Sequence, residues 1–183
     1  RIAQKVGEEK FKKFINDLGL LHTLDFDIEE VGTPLKFKWG KCKLATSAYG
    51  HGITTTPLQL AKGYSIISNG GYDIKPTLIL NKEKKTIQYK QIISEDVSNK
   101  VNSALRKIVT TKEGTASFAN INGYEIAGKT GTAQKSVMGG YSKNKINTFA
   151  SIFPASNPKY VLIVMLDEPK PNKDYIYEYK DGS

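Results

Sequence analysis

The hydrophobic period changes once along this chain, and that change limits the fold. Up to about Gly114 the long apolar patterns are helical; from Tyr124 they become strand-like. Residues 1–18 predict a helix, with Ile2, Val6, Phe11, Phe14, Ile15 and Leu18 near helical spacing and Gly19 as its stop. Residues 20–50, with Gly32, Pro34 and Gly40, predict irregular structure or short strands. Residues 56–68 predict a helix opened by Thr56 as N-cap, Pro57 in the first position and Gln59 completing a capping box, and ended by Gly70-Gly71. Residues 77–80 and 86–89 predict two short strands joined by a polar turn, Asn81 to Lys85. Ser94 caps a further helix whose core face is Val97, Val101, Leu105 and Ile108, with Gly114 at its end. Strands follow over 124–134 and 148–153, and the apolar run Tyr160–Leu166 predicts a central strand covered on both faces. Pro154 to Pro158 is a short link, so the last two strands pair antiparallel. Helices first and an antiparallel sheet after them give the α+β class.

With 183 residues the chain suits one domain or most of one. Neither a membrane-spanning apolar run nor a signal peptide occurs in it. Both ends read as cut: Arg1 begins within a helical pattern, and Asp181-Gly182-Ser183 is turn-like. Cys42 is the only cysteine, which excludes an internal disulfide framework and argues against a structural zinc site; it reads as a small buried hydrophobe. The net charge of +9 comes almost entirely from lysine. The densest groups, Lys36, Lys38, Lys41 and Lys43 and then Lys82, Lys84 and Lys85, read as solvated edges rather than a binding patch. A basic nucleic-acid-binding domain is the alternative from another class, but no motif for it appears, so nucleic acid is not an expected partner.

Gly128-Lys129-Thr130-Gly131-Thr132-Ala133 carries the chemistry. Lys129 supplies positive charge and Thr130 and Thr132 supply hydroxyl donors for an anionic group. Gly131 lets a ligand backbone approach the strand, and a strand facing a ligand can offer an N–H to an oxyanion. The triplet Lys-Thr-Gly belongs to the signature set of penicillin-binding proteins and class A β-lactamases, though alone it is a weak signal in a lysine-rich chain.

Its surroundings sharpen the reading. Ala127 to Gln134 closely resembles the third-motif strand of class B penicillin-binding proteins, the monofunctional transpeptidases. Tyr49 to Ala61 resembles that family's helix entry between its second and third motifs, and Phe149–Pro154 with Tyr160–Pro169 resembles the two strands after the third. The resemblance runs from Arg1 to about Pro169 and is closest to the cell-division and elongation enzymes. It implies a penicillin-binding/β-lactamase-like α+β fold, an antiparallel sheet flanked by helices, incomplete here.

The resemblance also implies a serine D,D-transpeptidase that cross-links peptidoglycan stem peptides and is inhibited by β-lactams. It works outside the cytoplasmic membrane, anchored through a segment absent here, alongside other cell-wall or division proteins. It assigns Lys129 a catalytic role, Thr130, Gly131, Thr132 and Gln134 to substrate or β-lactam, and the Thr132 N–H to the oxyanion hole. No cofactor or metal is implied.

The family's Ser-x-x-Lys and Ser-x-Asn should precede Lys-Thr-Gly, and neither stands upstream in this chain. The formal matches Ser142-x-x-Lys145, Ser156-x-x-Lys159 and Ser142-x-Asn144 all follow Lys129, in expected loops, and Pro158 interrupts the second. The nucleophile is therefore expected outside the chain, as is a C-terminal helix, and the chain alone is expected to be inactive. A non-catalytic β-lactam sensor or wall-binding pseudo-enzyme is the other reading the resemblance allows. His22 and His51 have no partner at a meaningful spacing, and His51 reads as a loop histidine; Tyr175, Tyr177 and Tyr179 alternate like an amphipathic edge.

Overall fold

The computed structural model describes residues 1–29, 31–36, 38–40, 42–80, 88–137 and 140–170. The chain divides into two compact units, Arg1–Lys100 and Val101–Ser183.

In the first unit the expected N-terminal helix is two, α1 (Ile2–Val6) and α2 (Glu8–Asp17). Gly7, at φ +88°, turns the backbone between them into a region that only glycine enters freely. Only the C-terminal part of the apolar stripe, Ile15 and Leu18, is buried; Ile2 and Val6 are exposed. Residues 20–50 are largely irregular, as expected, with one short helix, α3 (Lys43–Ser47). Cys42 is exposed, contrary to the buried reading, because it lies just ahead of α3 at the surface. His22 has a side-chain partner after all, the Asn16 carboxamide, which spacing could not reveal.

Helix α4 (Pro57–Ser68) begins as expected: Thr56 Oγ1 accepts from Gln59 N–H (3.1 Å) and Gln59 Oε1 accepts from Thr56 N–H (2.8 Å). Gln59 does more than cap. Its Nε2 donates to the carbonyls of Gly19 (3.1 Å) and His22 (2.7 Å), so one buried side chain joins α4 to the loop after α2.

Residues 77–80 form no strand. The Asp27 carboxylate accepts from the Thr77 hydroxyl (2.6 Å) and Leu78 N–H (2.5 Å), and Ile79 N–H donates to Thr77 Oγ1 (3.0 Å). Local side-chain bonds thus take the groups a ladder needs. Residues 88 and 89 are not in a strand either, and among the described residues an isolated bridge joins Tyr72 and Gln91 nearby. Residues 86 and 87, the Asn81–Lys85 turn and the tyrosines at 175, 177 and 179 lie outside the described residues, as do Lys41, Lys82, Lys84 and Lys85.

Helix α5 (Glu95–Thr110) starts where expected, with Val97 N–H donating to Ser94 Oγ (3.3 Å). Its buried line is Ser98, Asn102, Leu105 and Val109, one step round from the expected face; Val97 is exposed. Ser98 replaces Val97 inside because its hydroxyl donates to Ile67 O and accepts from Gly70 N–H (3.2 Å), which makes a buried serine affordable.

In the second unit, α5 is followed by a tight turn and a 3₁₀ turn, Ser117–Ala119, and then by three strands: β1 (Ala127–Val137), β2 (Gly140–Phe153) and β3 (Tyr160–Asp167). They form one antiparallel sheet in the order β1-β2-β3. Ser142 and Lys145 therefore stand on a strand, not in a loop, while Ser156 lies in the β2–β3 link. Ala127, Ala150 and Ile152 bury one face at one end of the sheet, and Ser151 lies buried on the other. Among the described residues β3 is not the central strand its composition suggests. It is an edge, with Leu162, Val164 and Leu166 each 43–56% exposed on one face, because β2 is its only partner among the described residues.

Gln59→Ala removes the side-chain half of the capping box, sparing the Gln59 N–H bond to Thr56 Oγ1, and leaves the part-buried carbonyls of Gly19 and His22 without their donor. It is expected to destabilise the fold by about 2–4 kcal/mol, read from the denaturant midpoint; a change within error rejects Gln59 as the joint.

Candidate functional site

The main-chain groups of β1 can be assigned a side from hydrogen bonds elsewhere in the sheet. Glu168 N–H donates to Lys145 O (3.0 Å) and Lys159 N–H to Phe153 O (3.1 Å), so odd-numbered residues of β2 turn their N–H and C=O toward β3. Even-numbered residues of β2 then face β1. Through the register Lys129↔Ala150 and Gly131↔Thr148, the odd residues of β1 bond to them. Gly128, Thr130, Thr132 and Gln134 therefore turn their amides to the outer edge. Two bonds agree: Ile126 O accepts from Arg106 Nη1 (2.6 Å) and Thr130 O accepts from Lys129 Nζ (2.6 Å).

Side chains alternate on the same period. Thr130, Thr132 and Gln134 share one face of β1, and Lys129, Gly131 and Ala133 lie on the other. Lys129 nevertheless curls round the edge: its Nζ stands 3.3 Å from Thr130 Oγ1 as well as bonding the Thr130 carbonyl. The expected residues thus gather along one edge, with the ammonium drawn to Thr130, and Lys129, Gly131, Thr132 and Gln134 are all exposed there. Hydroxyls at 130 and 132, the Thr132 N–H and a lysine charge together can hold an anion and a developing oxyanion.

The two glycines of the motif differ in kind. A Cβ at Gly128 would sit 2.7 Å from Ala150 O and 2.8 Å from the Phe149 ring, so packing requires glycine there. At Gly131 the nearest atom to a Cβ would be Thr148 O at 4.0 Å, an ordinary contact. Packing among the described residues does not demand glycine at 131.

Two features escaped the sequence reading. Thr130 Oγ1 donates to Thr115 Oγ1 (3.0 Å), which places a residue of the turn after α5 in the site. Lys135, one residue past Gln134, reaches across β2 to Asp167 (2.8 Å) and Glu168 (2.7 Å) on the far side. Its hydrogen bonds to Asp167 and then Glu168 hold its ammonium above the usual lysine range, while those of Lys135 and Asn144 hold Glu168 below the usual carboxylate range. This clamp lies where the β1–β2 register shifts, between Gln134 and Ser136. At the other end of β1, hydrogen bonds from the Ser156 hydroxyl and N–H, and the charge of Arg106, hold Glu125 below the usual range. Only a local "Thr in a turn after a helix" could have signalled Thr115, and that is too common to single it out. Ser142 and Ser156 have no place at this edge: Ser142 Oγ accepts from Asn144 N–H (3.0 Å), and Ser156 bonds Glu125. His51 lies in a loop of the first unit, its ring 5.1 Å from that of Tyr49.

A family model described as "Penicillin binding protein transpeptidase domain" matches residues 1–182. The chain is 32% identical to the peptidoglycan D,D-transpeptidase FtsI homolog of Mesostigma viride, over 92% of this chain and 33% of that protein. It superposes on the transpeptidase domain of Burkholderia pseudomallei penicillin-binding protein 3 with a TM-score of 0.85, at 27% identity, covering 92% of this chain and 52% of that one. Penicillin-binding protein 3 of Mycobacterium tuberculosis, solved with ampicillin, gives a TM-score of 0.83 at 29% identity, covering 91% of this chain and 41% of that one. The chain thus spans about a third of the curated relatives it matches. The fold is that of these domains: α+β, with an antiparallel sheet and helices.

Gly128→Ala is expected to destabilise by about 1–3 kcal/mol through overpacking, whereas Gly131→Ala stays within about 0.5 kcal/mol; paired urea titrations separate them. The Lys135 clamp has a pH signature. Glu168, its pKa lowered by folding, stabilises above its unfolded value of 4.5 and loses that contribution as pH falls through the folded value. Lys135, its pKa raised, stabilises below 10.5 and loses that contribution as pH rises through the folded value. The melting-temperature gap between wild type and Lys135→Met should therefore be widest near neutrality and close below the usual carboxylate range; a gap constant with pH rules out the clamp.

Proposed function

From the premise that this chain belongs to the penicillin-binding-protein transpeptidase family, we propose that it is the Lys-Thr-Gly side of a serine D,D-transpeptidase site. The nucleophile belongs to a segment upstream of Arg1 in the intact parent. The observation that carries this reading is the outer edge of β1, where the Thr132 N–H, two threonine hydroxyls and the Lys129 ammonium converge. The exposed apolar face of β3 supports the domain being partial: Leu162, Val164 and Leu166 on an edge strand are what remain when covering segments lie elsewhere.

The chemistry is acyl transfer. The upstream serine, deprotonated by the lysine three residues after it, adds to the penultimate D-Ala carbonyl of a stem peptide. The tetrahedral oxyanion accepts from Thr132 N–H and the serine's own N–H. Collapse expels the terminal D-Ala as an amine that takes up the serine's proton, leaving an acyl-enzyme, and an amine of a second stem then displaces the serine. Lys129 supplies the positive field and favours proton transfer through the upstream Ser-x-Asn serine. Thr130 and Thr132 donate to the terminal carboxylate, or to its counterpart in a β-lactam. Gly131 leaves room for the peptide to lie against the strand, in keeping with the absence of any packing demand at that position. Gln134 extends the edge on the acceptor side. The substrate places the work outside the cytoplasmic membrane, with anchoring through a segment beyond these residues.

Benzylpenicillin is expected to add covalently, by intact mass, to the parent and not to this chain. Lys129→Ala in the parent should slow acylation by about 10²–10³-fold. An unmodified parent overturns the reading, and so does an adduct on residues 1–183 alone.

A further inference from the structure

The Thr130–Thr115 bond raises a question of hydrogen supply. Thr130 carries one hydroxyl hydrogen, directed at Thr115 Oγ1 across 3.0 Å, while Lys129 Nζ stands at 3.3 Å as a donor to the same oxygen. A hydroxyl offers one donor and two acceptor positions. In this arrangement the donor of Thr130 points at Thr115, and an arriving carboxylate needs that donor.

We propose that Thr115 is a positioning residue for the anion-binding hydroxyl of Thr130, accepting from it in the free site and donating to it once a carboxylate is bound. The inference rests on the transpeptidase reading of the edge. The exchange turns two O–H bonds and moves no heavy atom. With Thr115 and Lys129 both donating to Thr130 Oγ1, the Thr130 hydrogen is directed outward. Its O–H is then polarised by the two donors behind it, which strengthens the bond to an anion. Thr115 also pins the side-chain rotamer, so that the hydroxyl and not the methyl faces the ligand.

The turn is built to hold Thr115 still. A Cβ at Gly114 would lie 2.0 Å from the Ile108 carbonyl oxygen, so only glycine lets the chain fold back against α5. Gly114 N–H donates to Thr111 O (2.9 Å) and Ser117 N–H to Gly114 O (3.0 Å), bracketing Thr115. From the same helix Arg106 grips Ile126 O at 2.6 Å, just ahead of β1. Thr115 and Thr130 thus add a further tie between α5 with its turn and the motif strand.

The test uses benzylpenicillin and its methyl ester, which differ only at the carboxylate. Second-order acylation constants of the intact parent with each, read by intact mass, give an acid-to-ester ratio. Thr115→Val is expected to lower that ratio about three- to tenfold, the worth of one hydrogen bond. The loss should appear in the non-covalent binding constant and not in the acylation rate constant. Thr115→Ser should restore it. Thr115 is exposed, so these variants are expected to fold, with melting temperature as the check and Thr115→Ala as a second hydroxyl deletion. If Thr130→Val collapses the ratio while both Thr115 deletions leave it unchanged or raised, this inference alone falls. If Thr130→Val leaves the ratio unchanged, or the parent takes up no penicillin, the underlying reading falls with it.

Discussion

Among the described residues β1 pairs on one side only, and the proposed site depends on that. An edge strand must find partners for every second main-chain amide outside the sheet. Here the edge carbonyls of Ile126 and Thr130 are taken by Arg106 and Lys129, side chains reaching from α5 and from the strand itself. The edge N–H groups remain aligned with the hydroxyls beside them. What is elsewhere a liability for aggregation is, in the proposed site, a row of donors held at fixed spacing, as transition-state stabilisation would require.

That edge is only as straight as its ends. Buried small residues anchor one end: Ala127 and Gly128 let β2 approach closely, and the Phe149 ring fills the space over Gly128. A charge clamp anchors the other, where Lys135 spans β2 to bind Asp167 and Glu168 beyond the register shift. Between them lie Thr130 to Gln134, the residues of the proposed site. The stability contributed by the exposed clamp is modest, but its position pins the strand on the far side of an irregularity.

Local rules account for most of what could be read in advance. The α4 cap was legible because Thr56, Pro57 and Gln59 satisfy their own backbone within one turn. The start of α5 and the β2–β3 hairpin were legible for the same reason. Errors arose where a longer-range partner outbid the local pattern. Asp27 drew Thr77 and Leu78 out of a ladder, and Ser98 found Ile67 O and displaced Val97 from the buried face.

By itself, then, the order of residues determined the fold class, the capped helix and the identity of the Lys-Thr-Gly strand, because each is encoded in contacts a few residues apart. Tertiary structure alone decided which amides of that strand face outward and that Thr115 and Lys135 belong to the arrangement. Those facts depend on strand register and on partners 15 to 33 positions away, and side-chain hydrogen bonds over such separations leave no periodic trace in a sequence.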